Sequence, residues 1–212
     1  MALDTYTNLK AAAADWLNRT DLTSQIPDFI TLAEAQINRR LMLAGPVRQM
    51  MGRSDATINA EFFALPSDFL GLRAFSLGTT TGVPPLTFVE PEKIVELKVN
   101  SAREGGDPQH FSIVGAQFQF WPWTSGGSFS AEISYWKSLP PLASNATNWL
   151  LALYPDAYLY GSLLQSAPYL KHDARIQTWG TAFAQVLADI VDADKVARFA
   201  PQLGIPRKYS IV

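Results

Sequence analysis

Few side chains in this 212-residue chain are of types that carry chemistry, and fewer stand at spacings that would let them act together. His172 and Asp173 are adjacent, and a histidine beside a carboxylate can act as a general base with its orienting partner. At a helix start the same pair reads as a polar turn in which Asp173 caps the backbone. Asp192 and Asp194 could touch a divalent cation, or form an exposed acidic helix end. Glycan hydrolysis would need two carboxylates roughly 5–10 Å apart, and nothing in the sequence places two of its 19 acids together. Trp121 and Trp123, beside Pro122 and ahead of Gly126-Gly127, could form a sugar-stacking platform; packing or subunit contact is the competing use. Arg39, Arg40, Arg48 and Arg53 make a local basic run that suits a solvated helix end or an acidic partner surface.

Several chemistries lack their signatures. There is no phosphate-cradling glycine loop, dinucleotide fingerprint or nucleophile elbow. The chain has no cysteine, and His110 and His172 do not have the spacing of a zinc-binding helix. No metal, cofactor or catalytic residue is therefore expected.

Composition points the same way. Hydrophobic residues make up 48% of the chain but charged ones only 17%, against the roughly 25% usual for soluble domains. A surface so poor in charge suits contact with other chains. The formal charge of −2 argues against a nucleic-acid-binding module, which would carry a basic face. The N-terminus lacks the basic and apolar regions of a signal peptide, and no stretch is apolar for the length a membrane span needs.

The elements that must carry these residues begin and end as helices. Asp4 or Thr5 can cap a first helix with an apolar face of Leu9, Ala12, Ala13, Trp16 and Leu17. A second has Pro27 and Asp28 in its first turn, a buried stripe of Ile26, Phe29, Ile30, Ala33, Ile37 and Leu41, and Gly45-Pro46 as its stop. Near the other end, Asp156 is the only formally charged residue between Lys137 and Lys171. A run that long and uncharged must be hidden, as one arm of a helical hairpin. Asn145, Thr147 and Asn148 can cap a short turn at 149–154. A main helix then starts at Pro155, with Pro168 expected to end or kink it. A final helix carries Ile176, Trp179, Phe183, Val186, Leu187 and Ile190 on one seam.

The middle of the chain has strand texture. Candidates are Val47–Ile58, Glu61–Leu65, Leu70–Leu77 and Leu86–Val89. A short helix opens at Pro91. A hairpin of Phe111–Val114 and Gln117–Trp121 follows, and then Phe129–Trp136, whose Phe129, Ala131, Ile133 and Tyr135 share a face. By the same alternation Phe118 and Phe120 belong in a core. The expected fold is α+β: an antiparallel helical bundle from both ends of the chain, around an inserted small antiparallel sheet. Its parts are residues 1–45, 46–140, 141–194 and an extended arm, 195–212. Within that arm Pro201, Gly204 and Pro206 forbid a long helix. Phe199, Leu203, Ile205, Pro206, Tyr209, Ile211 and Val212 are too apolar for an indifferent tail. It either folds back onto its own bundle or docks on a partner.

The runs Y-W-K-S-L-P-P-L (135–142), N-W-L-L-A-L-Y-P-D-A-Y-L-Y-G-S-L (148–163) and D-A-R-I-Q-T-W (173–179) resemble the head-to-tail adaptor, or connector, proteins of tailed bacteriophages. The opening Y-T-N-L-K-A-A-A-A-D-W-L-N-R-T-D-L (6–22), I-P-D-F-I-T-L-A-E-A-Q-I-N-R-R-L (26–41) and L-P-S-D-F-L-G-L-R (65–73) are similar to the same family, so the likeness runs along nearly the whole chain in order. The resemblance implies a structural virion protein of the neck, between head and tail, assembled in the host cytoplasm. It implies a homo-oligomeric ring of about twelve copies closed by head-to-tail contacts, partners in the portal protein and in tail or neck proteins, and DNA passing through the lumen without specific binding. It also favours docking of the C-terminal arm on the portal, with the residues just named, and Trp121 and Trp123, as partner contacts. The alternative class is a glycan-binding or cell-wall-hydrolysing virion component.

Overall fold

The computed structural model describes residues 3–77, 86–100, 105–123, 127–170 and 175–198. The fold is α+β, and the chain divides into two compact units. One is built from residues up to Gln49 together with those from Leu139 onward; the other comprises Met50–Ser138.

The helical unit contains α1 (Tyr6–Leu17), α2 (Ile26–Ala44), α4 (Trp149–Leu153), α5 (Pro155–Leu170) and α6 (Ile176–Arg198), and α3 (Pro91–Asn100) belongs to the other unit. Thr5 caps α1 by accepting from the Asn8 N–H, and Asn18 closes it in the left-handed conformation, which asparagine tolerates better than most residues. Along α2 the buried side chains are Ile26, Phe29, Ile30, Ala33, Ile37 and Leu41, with Glu34 among them. Gly45, at φ 130°, ends it.

Helix α5, whose single formally charged residue is Asp156, sits at the centre of its unit, packed against α1, α2, α4 and α6. Its buried residues, Ala157, Tyr158, Leu159, Gly161, Ser162, Leu163, Ser166 and Ala167, cover most of its circumference. Gly161 is where the neighbours come closest: a Cβ there would lie 3.0 Å from the Phe183 ring and 3.2 Å from the Ala33 Cβ. Burying each large aliphatic side chain in this unit contributes about 1.5–3 kcal/mol. That is what secures helices too short to persist alone.

Three helical expectations are corrected. Trp16 is 46% exposed; its ring meets Tyr160 edge-on at 6.1 Å and lies at the margin of the apolar face. Ile176 likewise sits at the rim of the α6 seam, whereas Trp179, Phe183, Leu187, Ile190 and Val191 are buried. Of the two outcomes expected at Pro168, an end or a kink, the end is corrected: α5 continues to Leu170. In the last turn its missing N–H removes a single ladder bond, and the helix stops two residues later.

The β unit holds two sheets rather than one. The first has the order β1-β7-β3 and is wholly antiparallel, with β1 spanning Met51–Ile58, β3 Phe69–Leu77 and β7 Phe129–Lys137. Met51 lies opposite Trp136 at one end of the β1–β7 ladder and Ile58 opposite Phe129 at the other. The second has the order β2-β6-β5-β4, from β2 (Phe62–Ala64), β6 (Gln117–Trp121), β5 (His110–Val114) and β4 (Thr87–Phe88). Its β4–β5 pairing is parallel, because α3 (Pro91–Asn100) carries the chain between those strands as a crossover. Residues 48–50 form a turn of 3-10 helix, so β1 begins four residues later than the texture from Val47 suggested.

Phe118 and Phe120 are fully buried, with Ile58, Phe111, Ala131, Ile133 and Tyr135 in one cluster. Phe75 stacks on Phe111 at 5.5 Å and meets Phe118 at 5.3 Å. On β1, Gly52 faces Tyr135, and a Cβ there would stand 3.0 Å from its ring. Tyr135 in turn stacks on Phe69 at 5.8 Å and donates its hydroxyl to Asp68 Oδ1 at 2.9 Å.

Candidate functional site

Polar side chains inside the helical unit hold its connecting segments. Asn148 Oδ1 accepts from the Leu151 N–H at 2.9 Å, capping α4, while its Nδ2 donates to Pro140 O at 2.9 Å and to Tyr158 Oη at 2.6 Å. The Tyr158 hydroxyl then donates to Glu34 Oε1 at 3.2 Å, and the same oxygen accepts the Leu142 N–H at 2.9 Å. Beside it, Asn38 Oδ1 accepts the Leu139 N–H at 3.0 Å. Burial pushes the Glu34 carboxyl above its ordinary range, and the two donors pull it partly back. Burial, and then the neighbouring Glu34 charge, push the Tyr158 phenol strongly upward. A phenol so reluctant to ionise is a permanent donor, and Glu34, Asn148 and Tyr158 are all buried. What it does is fix the 139–148 connector on α2 and α5.

A second cluster fixes the end of α6. Asp194 is only 8% exposed, not the solvated acid its place near a helix end suggests. Its Oδ1 accepts the Arg48 N–H at 3.1 Å, and its Oδ2 pairs with Arg198 Nη2 at 2.6 Å. Arg198 Nη2 also donates to Pro46 O at 2.6 Å. The last described turn of α6 is thereby tied to the segment that follows α2. Asp192, by contrast, is exposed and pairs with Lys195. The two acids therefore have different partners, and among the described residues no group of three or more His, Asp or Glu side chains is gathered for a metal.

Between α2, α5 and α6 runs a groove of about 350 Å³. Leu41, Phe183 and Leu187 form its buried floor, and Ala44, Leu164, Gly180, Ala184 and Ala188 line its sides. Gln36 and Arg40 supply its polar groups. Nothing in the sequence periodicity announced this groove. The signal that could have found it is the run of small residues Gly180, Ala184 and Ala188, repeating at four on the outer flank of the α6 seam.

The remaining candidates are scattered. Trp121 and Trp123 are half-buried. Trp121 lies under Lys98 Nζ at 5.4 Å from its centroid, where Lys98 is paired with Glu61 and Gln119 Nε2 donates to Glu61 at 2.8 Å. Trp123 packs against Phe120 at 6.5 Å and Phe129 at 5.6 Å. The two rings are thus engaged with different neighbours and do not form one platform. The basic run is also divided: Arg48 joins Asp194, Arg53 pairs with Asp55 and Glu132, and Arg39 and Arg40 stand exposed on α2. His172 and Asp173 lie outside the described residues, as do Phe199, Leu203, Ile205, Pro206, Tyr209, Ile211 and Val212. Among the described residues no helix is long and apolar enough to cross a membrane.

Compared with known proteins, residues 4–204 match the family model described as SU10 adaptor protein. No curated protein matches the chain.

Proposed function

Since the chain belongs to the SU10 adaptor protein family, a structural family of phage virion proteins, we propose that it is a head-to-tail adaptor that forms a ring joining the portal to the tail. The observation that carries this reading is the extent of the match, which takes in residues of both compact units. In such a ring each copy presents two different faces to its neighbours, and closure by rotation limits the assembly, to about twelve copies here. The low charge content suits a protein that buries much of its surface against other chains. The mildly acidic balance suits a lumen that DNA crosses without being held, since affinity for the phosphate backbone comes from lysine and arginine.

Of the expected arm 195–212, residues 195–198 are instead the end of α6; the remainder, with Phe199, Leu203, Ile205, Pro206, Tyr209, Ile211 and Val212, grips the portal in this proposal. Trp121 and Trp123 are secondary contacts in this proposal, at and just beyond the end of the inner strand β6. A sheet-borne glycan platform draws no support from rings that pack in different directions.

The test is electron microscopy with particle-mass measurement, on the protein alone and mixed with its portal. Rings seated on the portal support the reading, and their loss in a chain shortened after Arg198 would assign the grip to the arm. A protein that stays monomeric in both samples, with no density added to the portal, overturns it.

A further inference from the structure

We propose that β1 is a docking edge for a second copy of this chain. The two β1 strands run antiparallel about a two-fold axis at Ser54, and two three-stranded sheets join into one of six strands. An isologous contact of this kind closes at two copies. It concerns the free protein and does not rest on the ring.

The strands at the edges of the two sheets are built differently. β2 and β4, which border the four-stranded sheet, span three and two residues. β3 is longer, but its register against β7 shifts between Phe69 and Gly71 and again between Leu72 and Ala74. Short strands and irregular register are devices by which sheet edges avoid pairing. β1 has neither. Its eight residues, Met51–Ile58, run against β7 without a shift. Among the described residues no backbone hydrogen bond joins its outer side to the rest of the chain. An edge so long and regular presents a row of donors and acceptors that a further strand can take.

The charges select the partner. Arg53 and Asp55 share the solvent face of β1, with side chains 64% and 74% exposed. Charges on an edge ordinarily deter pairing, but these are opposite in sign and two residues apart. Antiparallel pairing about Ser54 therefore sets Arg53 of each copy directly opposite Asp55 of the other. Centring the pair on Arg53 or on Asp55 instead sets like charges opposite, which is destabilising. A slip of one residue turns the buried face of one copy to the solvent side of the other. Longer slips leave both charges unopposed and shorten the overlap. Asp55 also has a use for a second cation. Its neighbour across the β1–β7 ladder is Glu132, a like charge directly opposite. Arg53 serves both carboxylates, at 3.4 Å and 3.0 Å, and the second copy brings another Arg53 to the open side.

The absence of cysteine lets one introduced thiol report the axis. Ser54→Cys puts the two thiols on directly opposed residues, whose Cα separation of about 4.5–5.5 Å suits a disulfide. Thr57→Cys leaves the two positions about 20 Å apart, although Thr57 is the more exposed residue. In the full chain under mild oxidation, the crosslinked dimer should form at least about tenfold faster for Ser54→Cys. Equal rates, or a faster Thr57→Cys, overturn the proposal. The second measurement is sedimentation equilibrium on the cysteine-free chain from about 10 µM to about 1 mM, a range suited to a small contact. A monomer–dimer equilibrium that Arg53→Asp weakens at least about tenfold, and that Arg53→Asp combined with Asp55→Arg restores, supports the proposal. A monomer throughout, a dimer indifferent to Arg53→Asp, or no recovery in the double variant overturns it.

Discussion

The Tyr158 hydroxyl donates to Glu34 Oε1 at 3.2 Å across 124 positions of sequence, joining the helix of one chain end to that of the other. With Leu142 and Asn148 it forms the buried polar centre of the helical unit.

Its pH behaviour follows from sign. Because burial raises the Glu34 carboxyl above its unfolded value, the folded state binds the proton more tightly. The stability this adds is complete below the unfolded pKa of about 4.3 and is lost as pH rises through the higher folded value. Glu34→Gln keeps an oxygen for the Leu142 N–H and the Tyr158 hydroxyl and removes the charge. Urea titrations between pH 4 and 8 should show a flatter profile for the variant, with neutral-pH stability equal to or above wild type. Glu34→Ala leaves both donors unmatched and should cost about 2–3 kcal/mol. Equal losses in the two variants would show that the charge itself is required.

Two glycines make opposite predictions. A Cβ at Gly161 meets Phe183 at 3.0 Å and Ala33 at 3.2 Å, whereas one at Gly180 meets only Leu164 at 3.7 Å. Both substitutions gain about 1 kcal/mol of helix propensity. Gly161→Ala must also repack three helices, at about 1–3 kcal/mol. Thermal melts should therefore rank Gly180→Ala above wild type and Gly161→Ala below it.

Asp194→Ala should loosen the end of α6. It removes the acceptor for the Arg48 N–H and the partner of Arg198, a loss of about 1–3 kcal/mol for a buried acceptor. Hydrogen exchange should quicken over residues 191–198 well before it changes in α5. Uniform quickening throughout the unit would contradict this local role.

In the β unit, Gly52→Ala should displace the Tyr135 ring, which would stand 3.0 Å from the new methyl. The stack on Phe69 and the bond to Asp68 would be strained together, at about 1–3 kcal/mol. A shift in near-ultraviolet circular dichroism with the far-ultraviolet signal retained would locate the change at the ring.

Helix periodicity made much of this architecture legible. The α2 stripe from Ile26 to Leu41 emerged as written, because spacing alone decides which side of a helix is buried. Glu34 stands on that same face, four residues after Ile30 and three before Ile37, and a carboxylate there was the available sign of a buried polar centre. A pattern built on apolar types does not mark it. Trp16 shows the converse, since spacing cannot say whether a large ring at the edge of a face is covered. The two sheets were not legible as two. Which strands pair is settled by contacts distant in sequence, and the alternation in β6 looks the same whether its neighbour is β2 or β1. The groove was hidden because it depends on how three helices diverge; the small residues Gly180, Ala184 and Ala188 mark only one of its walls.

The β1–β7 ladder sets Met51 directly opposite Trp136. The chain therefore steps into the β unit and out of it through one doorway, about 5 Å wide. To the helices on either side in sequence, the whole of that unit is equivalent to a tight turn. Closing the gap with a few residues would impose little loop entropy. As far as chain connection goes, a longer or shorter β unit leaves the separation of its two ends unchanged.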